Sequence, residues 1–82
     1  MTFVEAYLKT NNWQRKIVLV SMFHKSRLNK DHRWTVRATA QYFKISVGLC
    51  SENLKLSLEW DRIHNCSSRN EALKVLRNDN HN

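Results

Sequence analysis

The sequence predicts a small all-helical domain, a bundle of about five helices, and three observations predict it. Gly48 is the only glycine or proline among 82 residues, whereas β-hairpins and sandwiches need turn residues at short intervals. Apolar residues recur at helical spacing along most of the chain. The chain is also too apolar and aromatic, at 41% and 10% of its residues, to be intrinsically disordered. We therefore expect one domain over residues 1–82.

Two N-terminal helices are expected in residues 1–30. Thr2 is suited to cap a first helix of about two turns, because a threonine oxygen accepts from a backbone N–H of the first turn. The second helix follows Asn12, and from Ile17 to Phe23 it is apolar on nearly every side. The β-branched run at residues 17–20 also suits a strand, but the sequence offers no second strand of matching character. Such a helix must lie centrally or share its surface with a partner.

A basic linker and a pair of helices are predicted next. Residues 25–33 contain five basic side chains when the histidine is counted, with one acid and one apolar residue, which is typical of a helix end that runs into an exposed connection. The helix pair then covers residues 35–63. Thr35 caps the first helix, which stops near Lys44, and Ser46 caps the second.

A C-terminal helix is expected over residues 68–77. Ser68 and Glu71 have the spacing of a capping box, in which each residue's side chain accepts from the other's backbone N–H. An apolar pattern follows directly. The single domain thus divides into N-terminal helices (1–30), a central helix pair (35–63) and this last helix.

Residues 35–54, TVRATAQYFKISVGLCSENL, resemble the helix-turn-helix of phage repressors and of the ParB-type plasmid-partition proteins. The match lies in small, apolar and capping positions at fixed spacing: Thr39, Ala40, Phe43, Ile45, Ser46, Leu49 or Cys50, Leu54 and Leu56. Ala40 is small where the helices would cross, Phe43 and Ile45 bracket the turn as core residues, and the serine caps the second helix. In that family the residue after Phe43 is usually glycine, because the turn favours a positive φ, whereas this chain has Lys44.

The resemblance implies that the second helix of the pair lies in the major groove of DNA, with its N-terminal residues facing base edges. The candidate base-reading residues are Ser46, Val47, Gly48, Ser51, Glu52 and Lys55. Val47 would touch a thymine methyl, Glu52 would accept from a cytosine amine, and Lys55 would reach guanine or phosphate. An acid in the groove lowers affinity unless it reads a specific base. The alternative is that these residues form an ordinary solvated face.

Positive charge is concentrated in the first half of the chain. The net charge is +7, and residues 1–44 hold nine Lys and Arg against two acids, while residues 45–82 hold five of each sign. We therefore expect an anionic partner. The candidate phosphate-binding residues, which would set register without reading sequence, are Lys30, Arg33, Arg37, Gln41 and Lys44. Any one of them would equally suit a solubilising surface.

Patterns of catalysis and metal binding are absent from the sequence, which predicts a protein that is not an enzyme and holds no metal or cofactor. His64 and Cys66 lie two residues apart, which is not the spacing of zinc ligands. We expect Cys50 to be a small buried hydrophobe and Cys66 a free thiol. The longest apolar run, residues 17–20, is too short to span a bilayer, and the two cysteines favour a reducing cytoplasm.

These observations predict a sequence-specific transcriptional regulator of a phage, plasmid or similar element that binds double-stranded DNA. The alternatives are a DNA-handling accessory for partition, recombination or packaging, and a small helical module that binds another protein. A homodimer is expected, because one half-site gives little discrimination. Its seam would be either the apolar segment at residues 13–23 or a C-terminal set comprising residues 56–63, Leu73 and Leu76.

Overall fold

A computed structural model describes residues 1–79 of the chain and shows a compact arrangement of six α-helices, with no strand in that range. The helices are α1 (Phe3–Lys9), α2 (Trp13–Lys30), α3 (Val36–Phe43), α4 (Val47–Leu58), α5 (Trp60–Ile63) and α6 (Arg69–Asp79). The all-helical prediction is confirmed. Residues 80–82 of the expected domain lie outside the described part. No helix within it is both long and apolar enough to cross a membrane.

Side-chain caps begin the helices where the sequence predicts them. The Thr2 hydroxyl accepts from the backbone N–H of Glu5 at 3.2 Å, and the Glu5 carboxylate accepts from the Thr2 N–H in return. Thr35 caps α3 by accepting from the N–H of Ala38, at 3.1 Å. Each cap satisfies a backbone donor that has no partner inside the helix, and so fixes the residue at which that helix starts.

The capping box expected at α6 forms only in part. The Ser68 hydroxyl accepts from the N–H of Glu71 at 3.2 Å, as predicted. The Glu71 carboxylate, however, accepts from the hydroxyl of Ser67 and from its backbone N–H, at 3.0 Å for the latter, and not from Ser68. These hydrogen bonds lower the pKa of Glu71 below its ordinary value.

The second helix of the central pair is shorter than predicted. It ends at Leu58, and Glu59 leaves helical geometry with φ −103° and ψ 26° before the single turn of α5. The apolar spacing continues through this break, because Leu56, Trp60 and Ile63 all belong to or pack against one core cluster. The pattern therefore predicts one helix where the structure has two.

The long helix α2 lies at the centre and connects two core clusters. The first cluster joins α1, α2, α3 and α4 through Tyr7, Val20, Phe23, Ala40, Phe43 and Cys50. The second joins α2, α4, α5 and α6 through Ile17, Leu56, Ile63 and Ala72. Ile17 and Val20, about one turn apart on α2, thus serve different clusters, whereas Val18 and Met22 of the same apolar stretch are exposed.

Candidate nucleic-acid interface

A three-residue turn joins α3 to α4. Lys44 has φ 59° and ψ 42°, the left-handed conformation, and is the only non-glycine residue with positive φ in residues 1–79. Its N–H donates to the carbonyl of Gln41 at 3.2 Å, and the N–H of Ile45 donates to Ala40 at 3.0 Å, which closes α3. Ser46 then caps α4, its hydroxyl accepting from Leu49 N–H at 3.0 Å.

Small and aromatic residues bring α3 and α4 together behind this turn. Ala40, Phe43 and Cys50 are all buried in the first core cluster, as their spacing predicts. The Cys50 thiol donates weakly to the carbonyl of Val36, with sulfur and oxygen 3.8 Å apart. Burial raises the pKa of this thiol, because it disfavours the thiolate. Cys50 is therefore a packing residue of the α3–α4 contact.

A buried polar network fastens α3 to α2, and the sequence gives no sign of it. The Thr39 hydroxyl is fully buried, accepts from the indole N–H of Trp34 at 2.8 Å and lies 2.7 Å from Nδ1 of His24. The Thr39 hydroxyl on α3 thus links its own helix to α2 through His24 and to the α2–α3 connection through Trp34. Burial lowers the pKa of His24, because the charged ring is the form that loses hydration.

The structure leaves most of the candidate base-reading residues on the surface of α4. Those exposed are Ser46, Val47, Gly48, Glu52 and Lys55, while Ser51 is half-buried. A Cβ added at Gly48 would meet no atom within 4 Å, so internal packing does not require glycine there. Leu54 packs against the first core cluster, and Leu49 is half-buried.

Glu52 has a partner that sequence reasoning missed. Arg69, the first residue of α6, donates from Nη2 to Oε1 of Glu52 at 2.5 Å and from Nε to Oδ1 of Asn53 at 3.4 Å. Asn53 is 2% exposed, a buried polar residue within a segment whose pattern reads as apolar. Nothing in the spacing of residues 52, 53 and 69 indicates this contact.

Three of the candidate phosphate-binding residues share one face. Arg37, Gln41 and Lys44 are exposed and follow one another at intervals of four and three residues, so they line one side of α3 up to the start of the turn. The other two lie before α3. Lys30 ends α2, and Arg33 is exposed in the connection, 3.8 Å from a carboxylate oxygen of Asp31.

Residues 1–79 contain no group of three or more His, Cys, Asp or Glu side chains placed to hold a metal ion. Both cysteines are free thiols, with Cys66 half-buried. A scan against models of protein families, a search of curated proteins and a search of solved structures each found no match to this chain. The helix-turn-helix resemblance therefore rests on the residues of the chain itself.

Proposed function

We propose that the protein binds double-stranded DNA through α3 and α4 and acts, without catalysis, as a sequence-specific transcriptional regulator of a phage, plasmid or similar element. One observation carries the proposal. Lys44 adopts the left-handed conformation in a three-residue turn, between a capped α3 and a capped α4, and the α4 residues that follow are exposed. A positive φ at this position is the feature for which helix-turn-helix sequences usually have glycine.

The two sets of residues have different tasks in this proposal. Arg37, Gln41 and Lys44, with Lys30 and Arg33 before them, contact backbone phosphates and set the register of the protein on the duplex. The exposed residues of α4 read base edges in the major groove. Charge supports the division, because the phosphate set lies in the half of the chain with a surplus of seven positive charges.

Binding to a random-sequence duplex, followed by fluorescence anisotropy over a salt series, tests the proposal. We expect affinity to fall steeply with salt, since phosphate contacts release counterions. Arg37→Ala and Lys44→Ala should each flatten the logarithmic slope by about one unit for every sequence tested. Lys74→Ala, an exposed lysine on α6, is the control and should leave the slope near that of the wild type. Absence of binding at low salt would reject the proposal.

We further propose that the protein binds as a homodimer with its seam on α2. Val18 and Met22, one turn apart, are exposed at 38% and 55%. In the competing C-terminal seam Leu56 and Ile63 are fully buried within one chain, and Leu58 is the one large hydrophobic residue of segment 56–63 that is exposed, at 81%. Arg15 and Lys25 flank the α2 seam, so salt should screen their repulsion and strengthen the dimer. Sedimentation of the wild type and of Met22→Glu at two salt concentrations measures the strength of the dimer.

A protein-binding module is the second candidate function, and the same exposed apolar pair on α2 favours it. The two functions predict opposite behaviour toward salt. A contact centred on Val18 and Met22 is hydrophobic and persists as salt rises, whereas a contact through Arg37 and Lys44 weakens. The DNA-handling accessory shares the DNA-binding surface with the regulator and differs from it in using that surface for delivery and not for transcription control.

A further inference from the structure

A small cleft lies between α1, α2, α4 and α6, outside the α3–α4 surface described above. Its volume is about 190 Å³, and it is lined by Tyr7, Trp13, Lys16, Leu49, Asn53 and Arg69. A water molecule occupies about 30 Å³ in the liquid, so the cleft has room for roughly six groups of that size. A phosphate group, with five heavy atoms, fits within this volume.

Most of the polar groups that line the cleft are hydrogen-bond donors. Lys16 and Arg69 supply positive charge, and the indole of Trp13 supplies one N–H. Two acceptor atoms also line it, the amide oxygen of Asn53 and the phenol oxygen of Tyr7, and the phenol group is a donor as well. No carboxylate is among the lining residues. A lining of this kind repels cations and attracts anions.

Contacts within the fold hold the two ends of the cleft. The ammonium of Lys16 lies 4.4 Å from the centre of the Tyr7 ring, which keeps it beside the aromatic wall. At the other end, Arg69 Nε donates to the amide oxygen of Asn53. That bond turns the oxygen of Asn53 toward the guanidinium and leaves the NH2 group, two donors on a buried side chain, for a bound molecule.

We propose that this cleft binds an oxyanion of the phosphate class, with Lys16, Asn53 and Arg69 as its ligands. Arg69 also pairs with Glu52, which offsets part of its charge, so Lys16 supplies the decisive positive charge. Trp13, Tyr7 and Leu49 supply apolar wall surface, and charge-assisted hydrogen bonds are stronger beside apolar surface than in open water.

The phosphate could come from either of two sources. One is a free phosphate or phosphate ester. The other is the backbone of DNA, because Leu49 and Asn53 lie on α4 beside the exposed residues Gly48 and Glu52. A DNA phosphate as the ligand rests on the proposed function, whereas a free phosphate or phosphate ester does not.

Calorimetric titration with inorganic phosphate, against sodium chloride at equal ionic strength, tests the first source. We expect saturable binding to the wild type and at least a tenfold loss of affinity in Lys16→Gln and in Asn53→Asp, which replaces two donors with a negative charge. Lys74→Gln is the matched control, since it removes the same charge from an exposed position on α6 that does not line the cleft, and it should bind like the wild type. Circular dichroism confirms that each variant is folded.

The DNA salt series tests the second source with the same variants. If the cleft holds a backbone phosphate, Lys16→Gln should flatten the slope by about one unit while Lys74→Gln does not. Phosphate binding without DNA binding would support the cleft and reject the proposed function. DNA binding with identical slopes in both variants, together with no saturable phosphate binding, would overturn the cleft and leave the proposed function standing. If the protein binds neither inorganic phosphate nor DNA, both the proposal for the cleft and the proposed function are wrong.

Discussion

Arg69 on α6 pairs with Glu52 on the exposed side of α4, with 2.5 Å between Nη2 and Oε1. The contact has two consequences for the proposed DNA surface. It ties the last helix to the helix that would enter the groove. It also places a positive charge beside the one acid among the candidate base-reading residues, which reduces the repulsion between that acid and DNA phosphates.

The Glu52–Arg69 pair should contribute only modestly to stability. The two side chains are 49% and 27% exposed, and exposed ion pairs are worth about 0.2–1 kcal/mol. We expect a coupling free energy in this range from a double-mutant cycle of Glu52→Gln, Arg69→Gln and the double variant, measured by urea unfolding. A coupling near zero would mean that the pair does not fasten α6 to α4. Arg77→Gln, at an exposed position later on α6, controls for the loss of charge.

Local patterns in the sequence predicted the helices well, but they did not reveal polar contacts between residues that are far apart in the chain. Thr2, Thr35 and Ser46 cap helices as expected, because a cap joins a side chain to a backbone N–H only three residues away. The buried positions of α3 and of the first turns of α4 also followed from helical periodicity.

Contacts between distant residues explain what the sequence did not reveal. Thr39 and His24 are 15 residues apart, and Glu52 and Arg69 are 17 apart, so no local spacing marks either pair. The burial of Asn53 depends in the same way on helices that meet only in the fold. The exposure of most candidate residues on α4 thus agrees with the helical pattern, whereas the partner of Glu52 and the cleft between α1, α2, α4 and α6 required the structure.

Lys44→Gly should stabilise the protein. The left-handed conformation costs a non-glycine residue about 1–2 kcal/mol, while glycine adds about 0.5–1 kcal/mol of backbone entropy to the unfolded chain. We expect a net gain of roughly 0.5–1 kcal/mol, or a rise in Tm of about 2–8 °C, measured by thermal unfolding. Lys44→Ala removes the same charge and keeps the strained φ, so it should show no gain. Equal stability of the two variants would contradict this account of the turn.

Substitutions at the exposed residues of α4 should change which DNA sequence is preferred. Lys55→Ala is expected to alter preference at one base position by roughly 1–3 kcal/mol, with the melting temperature nearly unchanged. Selection from random duplexes measures the preference. Glu52→Ala should do the same if its carboxylate reads a base, but Arg69→Gln would then shift the preference as well, because it releases the same carboxylate.

The combination of these variants decides the role of Glu52. If Lys55→Ala changes the preferred sequence while Glu52→Ala and Arg69→Gln leave it intact, Glu52 is a residue that holds α6 and not a base reader. If none of the three changes the sequence selected by the wild type, α4 is not the recognition helix. Lys74→Ala, away from α4 in sequence and exposed on α6, provides the reference selection.

Stability should fall as the pH is lowered through the titration of His24. Burial holds the pKa of this ring below its ordinary value of 6.5, so the unfolded chain binds a proton more readily than the folded one. The contribution is therefore present above about pH 6.5 and is lost as the pH drops toward the folded-state pKa. Urea unfolding between about pH 8 and pH 5 measures the contribution of His24 to stability, in a range where Glu71, whose pKa is lowered, stays charged.

His24→Asn, which keeps a polar atom near the Thr39 hydroxyl, should flatten the pH dependence, whereas His32→Asn, at an exposed position of the connection, should retain it. A pH dependence unchanged by His24→Asn would show that the buried network is not its source.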